Sequence, residues 1–146
     1  MTMTATDATV EIQGLIENWA KAARTCDIDG IMAAYAPDIR AFDAISQLQF
    51  KGAEAWRRHW QACLEMGSGP TIFEVHDLLI EAGDGVAYGR FLLRCGGIGP
   101  DGKEQIGWMR VTVGCRRRGG RWTIAHEHSS APFDMASGKA LLELQP

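Results

Sequence analysis

Residues 35–60 read Y-A-P-D-I-R-A-F-D-A-I-S-Q-L-Q-F-K-G and then A-E-A-W-R-R-H-W, and the fold turns on the first half of that stretch. Ala41, Asp43 and Ile45 alternate with Arg40, Phe42 and Ala44, a period of two that suits a short strand. Asp43 then shares a face with Ala41 and Ile45. If that face looks inward, a carboxylate stands among apolar groups and desolvation raises its pKa above the ordinary value of about 3.9. Such a group can hold or take a proton near neutral pH, which proton-transfer chemistry requires. The competing reading is an Asp at a strand end that caps a turn or pairs with Arg40.

Outward from that segment, the chain divides into helices before it and long strands after it. Ile12, Leu15, Ile16, Trp19 and Ala23 recur at helical spacing and predict an amphipathic helix over residues 9–26. Asp27 or Asp29 can cap a shorter second helix reaching Tyr35, with Pro37 stopping it. Gly52 turns the chain into a third helix over residues 53–66, with Trp56, Trp60, Cys63 and Leu64 near one side. Four strands follow, over residues 72–82, 86–95, 104–116 and 121–129, joined by glycine-rich turns. Helices first and an antiparallel meander afterwards is the α+β pattern. Residues 1–8 are small and polar and are expected to be disordered; residues 9–132 form the domain and residues 133–146 a C-terminal tail.

The totals exclude several classes of function. The chain has 146 residues, 46% of them hydrophobic, enough for one domain with a sizeable core. A net charge of -3 gives no global basic balance for nucleic acid, and Arg116-Arg117-Arg118 beside Gly119-Gly120 reads as a solvated hairpin tip. No apolar run approaches the ~20 residues of a membrane span, and the N-terminus lacks the pattern of a secretion signal. Cys26, Cys63, Cys95 and Cys115 lack C-x-x-C spacing and read as reduced thiols, so a cytoplasmic location is expected.

Y-A-P-D-I-R-A-F-D, the lone Gly52 and W-R-R-H-W resemble the corresponding segment of bacterial ketosteroid isomerase, within the nuclear transport factor 2-like, or SnoaL-like, superfamily. The register holds without gaps from Trp19 to Trp60. The resemblance implies a cone-shaped α+β barrel, three N-terminal helices packed on a curved, mostly antiparallel sheet. It places Asp43 on the isomerase's general base, Tyr35 on a pocket tyrosine, Trp19 on the oxyanion tyrosine and Trp60 on a supporting tyrosine. The second half, with A-Y-G-R, W-M-R-V and R-R-G-G-R-W-T-I-A-H-E-H-S-S-A-P, is similar to the association domain of calcium/calmodulin-dependent protein kinase. That match places Arg90 and Arg110 on arginines lining a deep pocket.

The same resemblance puts Trp108, Arg110 and Thr112, and then Ala125, Glu127 and Ser129, on the concave face. Trp122, Ile124, His126 and His128 would point to a convex face that serves this superfamily as a dimer interface. His126 and His128 share a face but lack a clear third ligand, so no metal is expected. No cofactor is expected either. The donors of ketosteroid isomerase are missing: Trp19 replaces the tyrosine and Thr112 falls near the protonated acid. Removing such donors costs an oxyanion site roughly 3 kcal/mol each, so steroid isomerisation is not expected.

What the resemblance implies is a pocket for a carboxylate- or carbonyl-bearing small molecule. Asp43 and Glu127 are the candidate catalytic groups, and Trp19, Tyr35, Trp60, Arg90, Trp108, Arg110, Thr112 and Ser129 the candidate ligand-binding groups. The activity would be of the isomerase, cyclase or dehydratase kind. The alternative is a non-catalytic ligand-binding or assembly module in which Asp43 merely neutralises an arginine. The partners expected are the ligand and a second copy of the chain, with no nucleic acid and no membrane.

Overall fold

The computed structural model describes residues 4–146, with the backbone alone at residues 68–70. The first helix, α1, spans Ala5–Arg24. It starts earlier than the periodicity predicts because Thr4 and Asp7 form a reciprocal capping box that satisfies two N-terminal amides. The expected disorder of residues 1–8 thus falls in part on residues 1–3, outside the described residues, and in part on a capped helical turn. Ile12, Ile16, Trp19 and Ala23 line the buried stripe of α1. At its other end Arg24 donates to the Phe73 carbonyl, tying the helix to the sheet. The short helix α2, Ile28–Met32, is capped by Asp27.

Tyr35 belongs to β1 (Tyr35–Phe42) and not to the second helix. Pro37 sits inside that strand, where the pairing register slips between Tyr35 and Arg40, so its missing N–H breaks no ladder bond. A two-residue strand, β2 (Phe50–Lys51), returns antiparallel to β1, and α3 (Ala53–Glu65) follows. Four strands complete the chain: β3 (Ser68–Ala82), β4 (Val86–Ile98), β5 (Glu104–Arg118) and β6 (Arg121–Ser130). The sheet order is β2-β1-β6-β5-β4-β3, with β1 and β6 parallel and every other pair antiparallel. The sheet is curved but open, and the helices fill its concave side as a cone-shaped α+β fold. None of the described helices is long and apolar enough to cross a membrane.

Two local features decide which side chains reach that concave side. In β4 and β5, Phe91, Leu93, Val111 and Val113 are buried beneath the helices, so the alternate residues Arg90, Arg110 and Thr112 face outward. In β6 the pairing runs Cys115 with Ile124 and then Gly114 with His126, leaving Ala125 as an extra residue. That bulge reverses the side-chain parity. Trp122 and Ile124 before it are therefore buried in the core, and Glu127 after it is buried too. This corrects the expectation that Trp122 and Ile124 occupy the convex face; His126 and His128 alone of that set do.

Close packing leaves its mark at Gly89. A Cβ there would lie 3.2 Å from Val113 Cγ2 and 3.6 Å from Ile16 Cδ1, so α1 crosses β4 where the strand has no side chain. Residues 131–146 form no helix. They run back alongside β5, where the Trp108 main-chain N–H donates to the Leu142 carbonyl.

Candidate functional site

Asp43 follows the last residue of β1 and lies at the wide end of the cone, its side chain only 16% exposed. Its Oδ1 accepts the Ala44 N–H at 2.8 Å. Its Oδ2 lies 2.5 Å from Nε2 of His59, a helix α3 residue whose side chain is 8% exposed. The two groups are thus joined by a short hydrogen bond. The imidazole is held from behind by stacking on Phe50, ring centroids 4.2 Å apart, and on Trp56 at 5.3 Å.

Helix periodicity explains the grouping. Trp56, His59, Trp60 and Cys63 are spaced three or four residues apart, so one stripe of α3 carries all four toward the sheet. Cys63 Sγ is 3.7 Å from the same His59 Nε2. This is no nucleophile–base–acid relay, because a single nitrogen faces both the thiol and the carboxylate. Burial, with the charge of Asp43 behind it, also raises the Cys63 pKa and keeps the sulfur a thiol.

Beside Asp43, on the adjacent strand β6, stands Glu127, which pairs with Ala41, is 4% exposed and is the one buried charged residue among the described residues. A relay of donors supports it: the Trp19 indole N–H donates to the Tyr35 hydroxyl at 2.8 Å, and that hydroxyl donates to Glu127 Oε1, also at 2.8 Å. Burial pushes the Glu127 carboxyl up to about 8, against the lowering effect of the Tyr35 bond and with a further push from the charge of Asp43. Tyr35 is itself raised well above 10, first by burial and then by Glu127, so it stays a donor. Trp56 lies near enough to influence the Tyr35 hydroxyl, yet its indole N–H reaches no acceptor within hydrogen-bond distance. The Trp60 N–H is likewise buried without one.

Asp43, His59, Glu127 and Ser129 share a cavity of about 180 Å³ with Trp19, Trp60 and other apolar groups. An apolar cavity of about 150 Å³ is enough to hold benzene, so this chamber has room for one ring. Glu127, raised by burial, and Asp43, hydrogen-bonded to an imidazole, thus stand side by side in one small chamber.

Of the residues nominated from the sequence, Asp43, Trp19, Trp60, Glu127 and Ser129 line this cavity, with Tyr35 directly behind Glu127. Arg90, Trp108, Arg110 and Thr112 do not. Arg90 donates to the carbonyl and carboxylate of Asp77, which sits in a left-handed conformation at a bulge of β3. Arg110 donates to Ser130 Oγ, and Trp108 packs on His76 with ring centroids 5.0 Å apart. Thr112 is exposed, paired opposite His128. The physical reason is the parity of β4 and β5: the apolar alternate residues take the buried face and send the guanidiniums outward. None of the described residues lining the cavity is Lys or Arg, so the expected anchoring of a carboxylate by two arginines has no basis here.

His59 and Cys63 were missing from the nominated set. The signal was in the sequence, since Trp56, His59, Trp60 and Cys63 form one helical stripe. His126 and His128 lie outside, where His126 Nδ1 contacts the Arg40 carbonyl and both rings pack against Phe42. Among the described residues no three His, Cys, Asp or Glu side chains converge as a metal site.

Similarity to known proteins agrees with this architecture. No curated protein sequence matches the chain. An NTF2-like protein of unknown function from Pseudomonas putida is 50% identical, over 99% of this chain and 100% of that one, with a TM-score of 0.91. A ketosteroid isomerase-like protein from Erwinia carotovora atroseptica shares the fold at 15% identity and TM-score 0.70, covering 83% of this chain and 93% of that one. A Xanthomonas campestris protein, described as of the calcium/calmodulin dependent protein kinase II association-domain kind, shares it at 21% identity and TM-score 0.72. That alignment covers 84% of this chain and 86% of the other. The model of the SnoaL-like domain matches residues 12–134. With most of its length matched by that model, the chain belongs to the SnoaL-like domain family and has the nuclear transport factor 2-like fold.

Proposed function

We propose that this protein is an acid–base enzyme acting on a small, neutral, carbonyl-bearing molecule. The observation that carries this reading is that two unlike carboxyl groups on neighbouring strands line one 180 Å³ chamber, Asp43 hydrogen-bonded to His59 and Glu127 buried with its pKa pushed up to about 8. In this reading Asp43 removes a proton from the carbon next to a carbonyl and becomes a neutral carboxylic acid, held in place by its hydrogen bond to His59. Glu127 gives its proton to the carbonyl oxygen as the enol forms. Returning the proton at another carbon gives isomerisation; losing a β-hydroxyl as water gives dehydration. Either outcome needs only these groups to move protons. The Trp19–Tyr35 relay keeps Glu127 Oε1 occupied and leaves Oε2 for the substrate.

The test needs no knowledge of the natural substrate. Cyclohexanone fits a chamber of this size, and its α-protons exchange with D2O when a base removes them. Wild-type protein should accelerate that exchange over buffer, as followed by NMR, and Asp43→Asn should return it to the buffer rate. Equal exchange with wild type and Asp43→Asn would remove Asp43 from the chemistry.

One observation favours a second reading. Both Asp43 oxygens already have partners, Ala44 and His59, as a purely structural carboxylate would. A binding or assembly module would then bind cyclohexanone without exchanging its protons. We further propose a dimer through the convex face, now centred on Phe42, His126 and His128, which sedimentation velocity tests directly. Four free cysteines fit a reducing, cytoplasmic setting.

A further inference from the structure

The inner chamber shares part of its apolar wall with a neighbour. Trp60, Cys63 and Phe73 also line a second, larger cavity of about 310 Å³. It opens between the end of α3 and the first residues of β3 on one side and the β4–β5 connection on the other. Its remaining walls include Leu64, Ile72 and Ile98, and no charged side chain lines it among the described residues. Part of its floor is peptide backbone at Gly96 and Gly97. Gly96 has φ +150°, and a Cβ there would lie 1.9 Å from the Gln105 carbonyl oxygen, so this floor stays without a side chain.

Two chambers of opposite character therefore meet at one partition. The inner one holds every ionisable group of the proposed chemistry. The outer one offers largely apolar surface with neutral polar groups, the Thr71 hydroxyl, the Gln105 amide and peptide backbone. A ligand with a charged tail would lose hydration in the outer chamber with no counter-charge to replace it. A hydrocarbon arm would replace water there at a gain of about 0.8 kcal/mol per methylene.

We propose that the outer chamber is a subsite for the uncharged apolar arm of the same ligand, so that the substrate class is a neutral molecule with a compact carbonyl or enol head and an alkyl or aryl extension. The proposal rests on the acid–base reading for the head and adds the arm. Leu64 is its specificity-determining residue, since a larger side chain there fills the outer chamber without touching Asp43 or Glu127.

The experiment measures dissociation constants for phenol, 4-ethylphenol, 4-butylphenol and 4-hexylphenol by calorimetry, phenol standing in for an enol head. In wild type, affinity should rise about threefold to fourfold per added methylene until the outer chamber is full. In Leu64→Trp the rise should vanish while phenol itself binds as before. Thr71→Phe, at the rim of the same chamber, serves the same purpose should Leu64→Trp not fold. Phenol binding with no gain from chain length overturns the arm subsite and leaves the acid–base head intact. A gain that persists in both variants also overturns it, because the chain would then lie elsewhere. Failure of the whole series to bind overturns head and arm together.

Discussion

Replacing Glu127 by Gln isolates the buried proton. The substitution keeps the size of the side chain and an oxygen for the Tyr35 hydroxyl, and removes the ionisable group. In the folded chain the carboxyl sits at about 8, above the ordinary 4.5. The folded protein therefore keeps a proton that the unfolded chain has already released. Folded-state protonation above the unfolded value means stability falls as pH rises, from about 4.5 until it levels off past 8. At about 1.4 kcal/mol per pH unit, wild type should lose about 3 kcal/mol between pH 6 and pH 9 from this one group. For a chain of this length that corresponds to roughly 10 °C in Tm. Glu127→Gln should lack this loss, so the two proteins should diverge by about 3 kcal/mol across the interval, the variant being the more stable at pH 9. The part-buried thiol of Cys95, pushed up to about 11, belongs to both proteins and cancels in the comparison; that of Cys115, pushed up to about 12, is raised first by burial and only secondarily by Glu127. Guanidinium unfolding at both pH values measures the divergence. Parallel pH profiles for the two proteins would refute the reasoning, because a solvated or ion-paired Glu127 would give them.

Tyr35→Phe removes the hydrogen bond that lowers Glu127 and leaves the Trp19 N–H without its acceptor. Stability should drop by about 1–3 kcal/mol, and the midpoint of the pH-dependent loss should move further up. His59→Phe keeps the stack on Phe50 and deletes the nitrogen facing Asp43; cyclohexanone exchange should fall about a hundredfold with little change in Tm. Asp43→Asn removes a charge that raises Glu127, so its pH midpoint should move down, read from the same unfolding profiles. Gly96→Ala forces a side chain into the Gln105 carbonyl and should cost about 3 kcal/mol or more by urea unfolding; a loss under about 1 kcal/mol would show that the chain there can yield.

The α+β class and the inward Asp43 were legible because period-two and period-3.6 patterns report which face is apolar. The stripe of Ile12, Ile16 and Trp19 carries through to the structure, whereas the strand ends at Phe42, one residue before Asp43, and Ile45 is exposed. The error over Arg90 and Arg110 was of another kind. Phe91 and Leu93, and Val111 and Val113, announce their strands' buried faces by simple alternation, and a residue match to a distant relative overrode that signal. A register carried over at low identity loses its meaning when strand parity differs by one, since one residue exchanges the two faces. The β6 bulge at Ala125 was not legible at all: nothing in W-T-I-A-H-E marks the extra residue, which arises from how β6 must pair with both β1 and β5. His59 was overlooked because a histidine between two arginines reads as part of a polar surface, although its helical spacing from Trp56 and Cys63 assigns it to the inner stripe.

The proposed chemistry depends most on Glu127 holding a proton at neutral pH. Carbon-13 NMR of the glutamate side-chain carboxyls, with Glu127→Gln to assign the resonance, tests it most directly. The account expects a Glu127 signal of the protonated form at pH 6.5, titrating with a midpoint of about 8. A Glu127 signal already ionised at pH 6.5, with a midpoint near 4.5, would contradict it.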